Sequence, residues 1–118
     1  MRRKFKASYD KEGDVLTIYR NNGDVKESIE LSDEIVMDLD KDWKLVSLEV
    51  MDAYDFLHSL DKKFTRKMLS EINNAKVEVR NYRNYWYIIL IFEEDNKVML
   101  PVVSAAEYKS PLIASVSA

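Results

Sequence analysis

Residues 85–92 read YWYIILIF, an unbroken run of apolar and aromatic side chains. The run is too short to cross a bilayer as a helix, which needs about 20 such residues. Its β-branched and aromatic content, with polar turn residues at 81–84 and 93–97, predicts an interior strand that is covered on both faces. Because the chain has little helix to provide that cover, we expect a partner subunit.

The composition restricts the chemistry that the chain can perform. It has 118 residues, no Cys and a single His, His58, so a thiolate nucleophile and a typical zinc site are both excluded. The basic residues 1–6 are followed by an alternating segment rather than by an apolar run, which is not the pattern of a signal peptide. We therefore expect a cytoplasmic protein with no membrane segment and no cofactor.

Charge is distributed unevenly along the chain, although the net charge is only −3. Residues 10–61 hold 15 acidic and five basic side chains, whereas residues 62–85 hold seven basic and two acidic ones. This asymmetry predicts either head-to-tail contacts between molecules or a local basic patch. A chance difference between solvated faces is the competing interpretation.

The first 52 residues carry the period-2 alternation of half-buried strands. Polar turn residues, such as those at 11–14 and 21–24, separate the alternating segments. The predicted strands lie at residues 5–10, 15–19, 25–31, 35–39 and 45–51. Their close spacing predicts a five-stranded antiparallel meander over residues 1–52.

The period then changes to that of a helix between residues 53 and 73. The apolar residues at this spacing are Leu57, Leu60, Phe64, Met68 and Ile72. Asp61 is a candidate N-cap for a second helical piece, so the segment is either one helix or two short ones.

Strands return at residues 76–82, 85–93 and 98–103 and predict a three-stranded meander, followed by an apolar tail at 104–118. Pro101 has no backbone N–H to give to a sheet, which predicts an edge position for the last strand. The predicted fold class is α+β: one domain with a mainly antiparallel sheet system of about eight strands and a helical segment near residues 53–73. We expect a homodimer whose interface includes the second half and the tail.

Two blocks of the first half carry a family resemblance. They are YDKEGDVLTIY at residues 9–19 and IVMDLDKDWKLVSLEVMDA at residues 35–53. Through them, residues 5–60 resemble the family catalogued as domain of unknown function 2283, short prokaryotic proteins of a few β-strands. Trp43 stands where that family usually has Gly. The resemblance implies no established activity, and since some members are thought to accompany toxin-like proteins, it implies an accessory or toxin-neutralising partner.

Four acidic residues occupy positions 1, 3, 5 and 12 of a calcium-loop pattern: Asp38, Asp40, Asp42 and Glu49. Hard cations prefer several carboxylate oxygens at close range. However, Trp43 stands where the loop needs Gly, and the flanking segments predict strands rather than helices. We therefore favour a hairpin turn whose aspartates bind local backbone, and expect no selective calcium or magnesium site.

Basic and aromatic residues interleave in one strip, residues 80–87. The candidate nucleic-acid contacts in it are Arg80, Tyr82, Arg83 and Trp86. On an exposed sheet face they could stack unpaired bases and hold phosphates. The competing interpretation is that aromatic residues favour strands and that Arg commonly lies over them.

His58 lies three residues from both Asp55 and Asp61, which brings carboxylates near an imidazole on a helix. A general base also needs a nucleophile or a substrate site, and neither is visible in the sequence. We therefore predict no catalytic residues. Two functional classes remain: a small homo-oligomeric interaction protein, or a nucleic-acid-binding module that uses the strip at 80–87.

Overall fold

The computed structural model describes residues 3–21, 23–82, 85–92 and 97–101. Within these residues the chain forms eight strands in one sheet and two short helices. The strands are β1 (Arg3–Asp10), β2 (Val15–Tyr19), β3 (Glu27–Glu30), β4 (Ile35–Leu39), β5 (Leu45–Val50), β6 (Asn74–Tyr82), β7 (Tyr85–Phe92) and β8 (Lys97–Pro101). The helices, α1 (Ala53–Leu60) and α2 (Arg66–Glu71), come between β5 and β6.

The strand order across the sheet is β3-β4-β5-β2-β1-β6-β7-β8, and every neighbouring pair is antiparallel. The prediction of a mainly antiparallel sheet with helical structure after the fifth strand is confirmed, with strand as the dominant content. The three-stranded meander is also confirmed as β6-β7-β8. Its predicted ends at Glu93 and at residues 102–103, and the tail at 104–118, lie outside the described residues.

The predicted five-stranded meander is wrong at one connection. After β2 the chain passes to the far edge of the sheet, and β5 rather than β3 pairs with β2. In β3 only Ile29 is buried, whereas β5 buries four of its six residues. A short, charged strand is suited to an edge, where its unpaired backbone is less prone to association. The more apolar β5 takes the interior position.

The inner face of the sheet, the side on which both helices lie, holds the hydrophobic core. Alternate strand residues point to this face, as the period-2 pattern predicted. In β4, Ile35, Met37 and Leu39 are buried, whereas Val36 and Asp38 between them are partly exposed.

The helical segment covers the core on the inner face of the sheet. Leu57 of α1 and Leu69 of α2 are fully buried, and so is Phe64 in the connection between the helices. The Phe64 ring packs edge-on against Phe92 of β7, with 5.7 Å between the ring centroids. The helical segment therefore joins the second half of the sheet to the core.

Strand β7, which contains the apolar run at residues 85–92, is interior, between β6 and β8, as predicted. All five of its residues from Ile88 to Phe92 are buried, so its side chains are covered on both faces. Ile88, Leu90 and Phe92 join the core, whereas Ile89 and Ile91 point to the opposite face. A single chain thus already covers these residues, and their burial does not require a partner subunit. Pro101 lies in β8, which is the outermost strand at this side of the sheet among the described residues, in agreement with the predicted edge position.

The helical segment consists of two short helices rather than one, and Asp61 does not cap the second of them. Asp61 is extended and ends α1, where its backbone N–H donates to the Leu57 carbonyl oxygen. Thr65 caps α2 instead, since its hydroxyl accepts from the Met68 N–H. The Asp61 carboxylate accepts from the Lys63 backbone N–H, which lowers the pKa of Asp61. In the described part of the chain, neither helix has the length and apolar character needed to cross a membrane.

Candidate interaction surface

The outer face of the sheet, opposite the helices, is polar from β3 to β6 and separates its charges by strand. The acidic half, on β3, β4 and β5, consists of Glu30, Asp38 and Glu49. In the basic half, on β1 and β6, the charged side chains without an ion pair include Lys4, Lys6 and Lys76, whereas Glu78 pairs with Arg80 and Asp10 lies at the end of β1. Between the two halves lies β2, whose partly exposed Thr17 and Tyr19 are uncharged. Three adjacent zones of acidic, neutral and basic character therefore follow the strand order.

These six charged side chains have no ion-pair partner among the described residues. In the basic half, Lys4 of β1 stands directly opposite Lys76 of β6. Like charges at directly opposed positions of an antiparallel pair are destabilising. The isolated sheet therefore carries an unfavourable electrostatic contact at this position.

Asp38 is fixed in the acidic half by two serines on the neighbouring strands. Its two carboxylate oxygens accept from the hydroxyls of Ser28, at 2.6 Å, and Ser47, at 2.7 Å. Both serines stand directly opposite Asp38 in the sheet register. Hydroxyl donors orient the carboxylate without neutralising it, so the negative charge remains on the outer face.

Asp40 has a different role, because it organises the turn between β4 and β5. Its Oδ1 atom accepts from the backbone N–H groups of Asp42 and Lys44, and its Oδ2 atom lies 2.6 Å from Nη2 of Arg20. The Lys44 N–H is the main cause of the lowered pKa of Asp40, with contributions from Asp42 and Arg20. Binding of local backbone is the interpretation that the sequence favoured over a metal loop.

The calcium-loop pattern does not assemble into one site. Asp38 binds serines on the outer face, Asp40 binds the turn, Asp42 is exposed at the turn, and Glu49 lies on β5. Across the described residues, no group of three or more potential metal ligands comes together. Trp43 adopts a positive φ of 61° and is 40% exposed.

The strip at 80–87 is only partly described. Arg80 is exposed and its Nε donates to Oε1 of Glu78 at 2.7 Å. Tyr87 stands opposite Arg80 and is partly buried. Tyr82 and Trp86 have assigned strand positions in β6 and β7, whereas Arg83 lies outside the described residues. The described part thus places one basic residue, Arg80, and one aromatic residue, Tyr87, side by side.

His58 faces aromatic and backbone groups rather than carboxylates. Its Nδ1 atom lies 2.8 Å from the Phe64 carbonyl oxygen, and its ring stacks on Tyr54 with centroids 5.1 Å apart. Among the described contacts, no hydrogen bond joins it to Asp55 or Asp61. The imidazole therefore helps to hold the end of α1 against the following turn.

A polar cluster around Asp14 joins the first hairpin to the helices, and sequence reasoning missed it. The Asp14 carboxylate accepts from the Tyr9 hydroxyl at 2.6 Å and from the Tyr54 backbone N–H at 2.9 Å. Burial raises the pKa of Tyr9, and the bond to Asp14 raises it further. The Arg66 guanidinium lies 4.4 Å from the Tyr54 ring centroid and 4.0 Å from Asp14. Asp14 thus satisfies the N-terminus of α1, whose own N-cap residue, Asp52, makes no side-chain cap bond.

An open groove of about 360 Å³ lies beside the β4–β5 turn. It is lined by Gly23, Asp24, Val25, Lys26, Asp40, Lys41 and Asp42. Its mixture of acidic and basic side chains favours no single class of small ligand. Val25, at 51% exposed, is the most exposed large apolar side chain of the described residues.

The comparisons with known proteins concern the first half of the chain. No curated protein and no solved structure matches this chain. Residues 6–53 match the family described as "Protein of unknown function (DUF2283)". The match begins within β1 and ends at the first residue of α1, so it includes β2, β3, β4 and β5 whole and five of the eight residues of β1. It confirms the resemblance that the sequence carries, in a family whose description names no catalytic activity.

Proposed function

We propose that this chain is a small homo-oligomeric interaction protein without catalytic activity of its own. The observation that supports the proposal is the outer face, where acidic and basic side chains occupy separate halves of one continuous sheet surface. Complementary charge patterns of this kind guide association and set its specificity. The family resemblance adds that an accessory or toxin-neutralising role would use the same capacity for protein contacts.

The proposal is tested by the mass of the purified protein in solution. Light scattering at low ionic strength, from low to high micromolar concentration, should show a mass that rises from one chain to two. A constant mass of one chain over the whole range would contradict a homo-oligomeric function.

Nucleic-acid binding is the second candidate, and the exposed basic half supports it. Lys4, Lys6 and Lys76 share one side of the sheet with Arg80, which matches the charged track of a single-strand binder. A labelled single-stranded oligonucleotide should then bind in a fluorescence anisotropy titration, with an affinity that falls steeply as salt rises. Absence of binding at low salt would remove this candidate.

A further inference from the structure

We propose that strand β3 is a docking edge for a protein partner, which adds to the sheet an extended segment that alternates basic and apolar residues. The inference goes beyond the proposed homo-oligomeric function, because the partner is a different polypeptide and the contact is the edge of the sheet rather than its outer face. In strand addition of this kind, main-chain hydrogen bonds give affinity and alternate side chains give specificity.

The backbone of β3 supplies the first reason. Among the described residues β3 is the outermost strand, and it pairs with β4. The Leu31 N–H donates to the Ile35 carbonyl oxygen, so this pair is hydrogen-bonded. Because bonded and non-bonded pairs alternate along an antiparallel ladder, Ile29 also bonds to β4. The backbone N–H and C=O groups of Ser28 and Glu30 therefore point away from β4.

The ladder on the other side of β4 gives the same assignment. The Met51 N–H donates to the Glu34 carbonyl oxygen, just before the first residue pair of β4 and β5. The even-numbered residues of β4 therefore bond to β5, and its odd-numbered residues bond to β3. Ser28 and Glu30 stand opposite even-numbered residues of β4. The free edge of β3 thus carries two N–H donors and two carbonyl acceptors.

This edge is open in the single chain, unlike the outer face near the other end of the sheet. On β7, Ile89 and Ile91 are buried although they point away from the helices. On β3, in contrast, Glu27, Ser28 and Glu30 are all exposed. A partner strand can therefore reach the free edge of β3 without displacing another part of the chain.

Side-chain charge defines the chemistry of the partner. The exposed charged residues on β3 and beside it are mostly acidic: Asp24, Lys26, Glu27, Glu30 and Asp33. None of them forms a salt bridge within the described chain. Opposite charges on neighbouring strands are stabilising, and like charges exclude the wrong partner. An incoming strand with Lys or Arg is therefore favoured over an acidic one.

The alternation of the partner follows from the period of a strand. Successive side chains point to opposite faces of the sheet. Ser28 and Glu30 point to the outer face, whereas Ile29 between them joins the core. Val25, just before the strand, is 51% exposed. A partner with basic residues on the outer face and apolar residues on the inner face therefore continues the character of both faces.

A second copy of the chain is a poor occupant of this edge. Within the described residues, β1 and β6 carry basic residues that alternate with apolar ones, but each already has a neighbour on both edges. Another β3 would bring Glu27 and Glu30 against the same residues. The acidic edge thus opposes self-pairing, which is the hazard of an exposed edge strand, and stays open to a basic strand.

A short synthetic peptide that alternates lysine and valine is the probe. Fluorescence anisotropy at low ionic strength should show saturable binding of this lysine peptide to the intact protein. The same peptide with glutamate in place of lysine should not bind. A third peptide keeps the lysines but carries a methyl group on each backbone nitrogen, so it cannot donate to β3. It should bind about tenfold more weakly than the lysine peptide, and equal binding would overturn strand addition.

A proline substitution removes one of the outward N–H groups from the protein. Proline is tolerated on an edge strand where the N–H faces solvent, so Ser28→Pro should fold. Ser28→Ala is the matched control, because it also loses the hydroxyl bond to Asp38 but keeps the N–H. Ser28→Pro should bind the lysine peptide about threefold to tenfold more weakly than Ser28→Ala. Equal affinities would mean that no backbone bond forms at this position.

Charge exchange tests the position of the site. Glu27→Lys/Glu30→Lys should lose the lysine peptide and bind the glutamate peptide instead, which also shows that the variant is folded. Glu12→Lys/Glu71→Lys makes the same change in net charge at exposed positions outside β3 and should bind the lysine peptide as the wild type does. An equal loss in both variants would mean that net charge, rather than β3, attracts the peptide.

Amide hydrogen exchange gives the most direct measurement. The Ser28 and Glu30 amides should exchange more slowly when the lysine peptide is bound, whereas Ile29, already bonded to β4, should change little. Unchanged exchange at Ser28 and Glu30, or no binding of the lysine peptide at low salt, would contradict the proposal. If Glu27→Lys/Glu30→Lys is a monomer where the wild type is a dimer, the occupant is a second copy, and the foreign partner is wrong while the homo-oligomeric function stands.

Discussion

The inner and outer faces of this sheet are built from the same strands but have opposite character. On β5, Leu48 points inward and is fully buried, whereas its neighbours Ser47 and Glu49 point outward and are partly exposed. The inner face is apolar and closed by two helices, whereas on the outer face Lys4, Lys6, Lys76, Glu30, Asp38 and Glu49 have no ion-pair partner within the described chain. The difference separates the residues that determine stability from those available for recognition.

The largest expected effect lies on the inner face. Leu48→Ala should lower the free energy of unfolding by about 2–5 kcal/mol, because it removes a fully buried side chain and leaves a cavity between Ile18 and Met37, its neighbours in register. Urea denaturation measures the loss. The matched control is Glu49→Ala, one residue away on the outer face, which should change the same quantity by no more than about 0.5 kcal/mol. Equal losses at the two positions would show that the outer face is also packed.

The Asp14 cluster joins the first hairpin to the helices and should give the next largest effect. Asp14→Ala removes the acceptor of the Tyr9 hydroxyl and the Tyr54 N–H, and should cost about 1–3 kcal/mol in urea denaturation. Asp14→Asn keeps an acceptor oxygen and tolerates the positive φ of 54°, so it should cost less. If both substitutions cost the same, the loss would come from charge rather than from the missing hydrogen bonds.

The sequence alone predicted which residues of a strand point to the core better than it predicted which strands pair with each other. Alternation predicted a half-buried strand at residues 35–39, and Ile35, Met37 and Leu39 are its buried residues, because the side-chain period of a strand is a local property. Strand order is not local. The transfer of β3 to the edge depends on which strand packs best beside β2, and only the assembled sheet shows that comparison.

The candidate surface was missed for the same reason. Lys4 and Lys76 are 72 positions apart, and they meet only because β1 pairs with β6. The uneven charge along the sequence did indicate a possible contact between molecules. It did not indicate which face of the sheet carries these charges. The basic half combines β1 with β6, which is distant in sequence, whereas the acidic half lies on β3, β4 and β5, which are closer to β1 in sequence.

The loss of stability at acidic pH should depend in part on Asp40, in the turn between β4 and β5. The pKa of Asp40 is lowered in the folded state from its ordinary value of 3.8. Its contribution is therefore complete above about pH 4 and is lost as pH falls through the lowered pKa. Asp40→Asn should reduce the difference in urea midpoint between pH 7 and about pH 2.5. An identical pH dependence in wild type and Asp40→Asn would show that other carboxylates control the acid limb.

The smallest expected effect on the free energy of unfolding has the opposite sign, because one substitution on the outer face should stabilise the single chain while it weakens self-association. Lys76→Glu replaces the opposed Lys4–Lys76 pair with a pair of opposite charges, which should stabilise the single chain by about 0.2–1 kcal/mol. The same change removes a basic side chain from the outer face, so it should weaken self-association. Urea denaturation at low protein concentration measures the first effect, and light scattering measures the second. Lys67→Glu, at an exposed position on α2, should change neither quantity.

A variant that is both more stable and less associated would mean that the outer face retains an unfavourable contact within the chain because that contact becomes favourable between chains. If Lys76→Glu instead destabilises the monomer, then Lys76 contributes to the stability of the single chain, and the division between the two faces does not extend to β6.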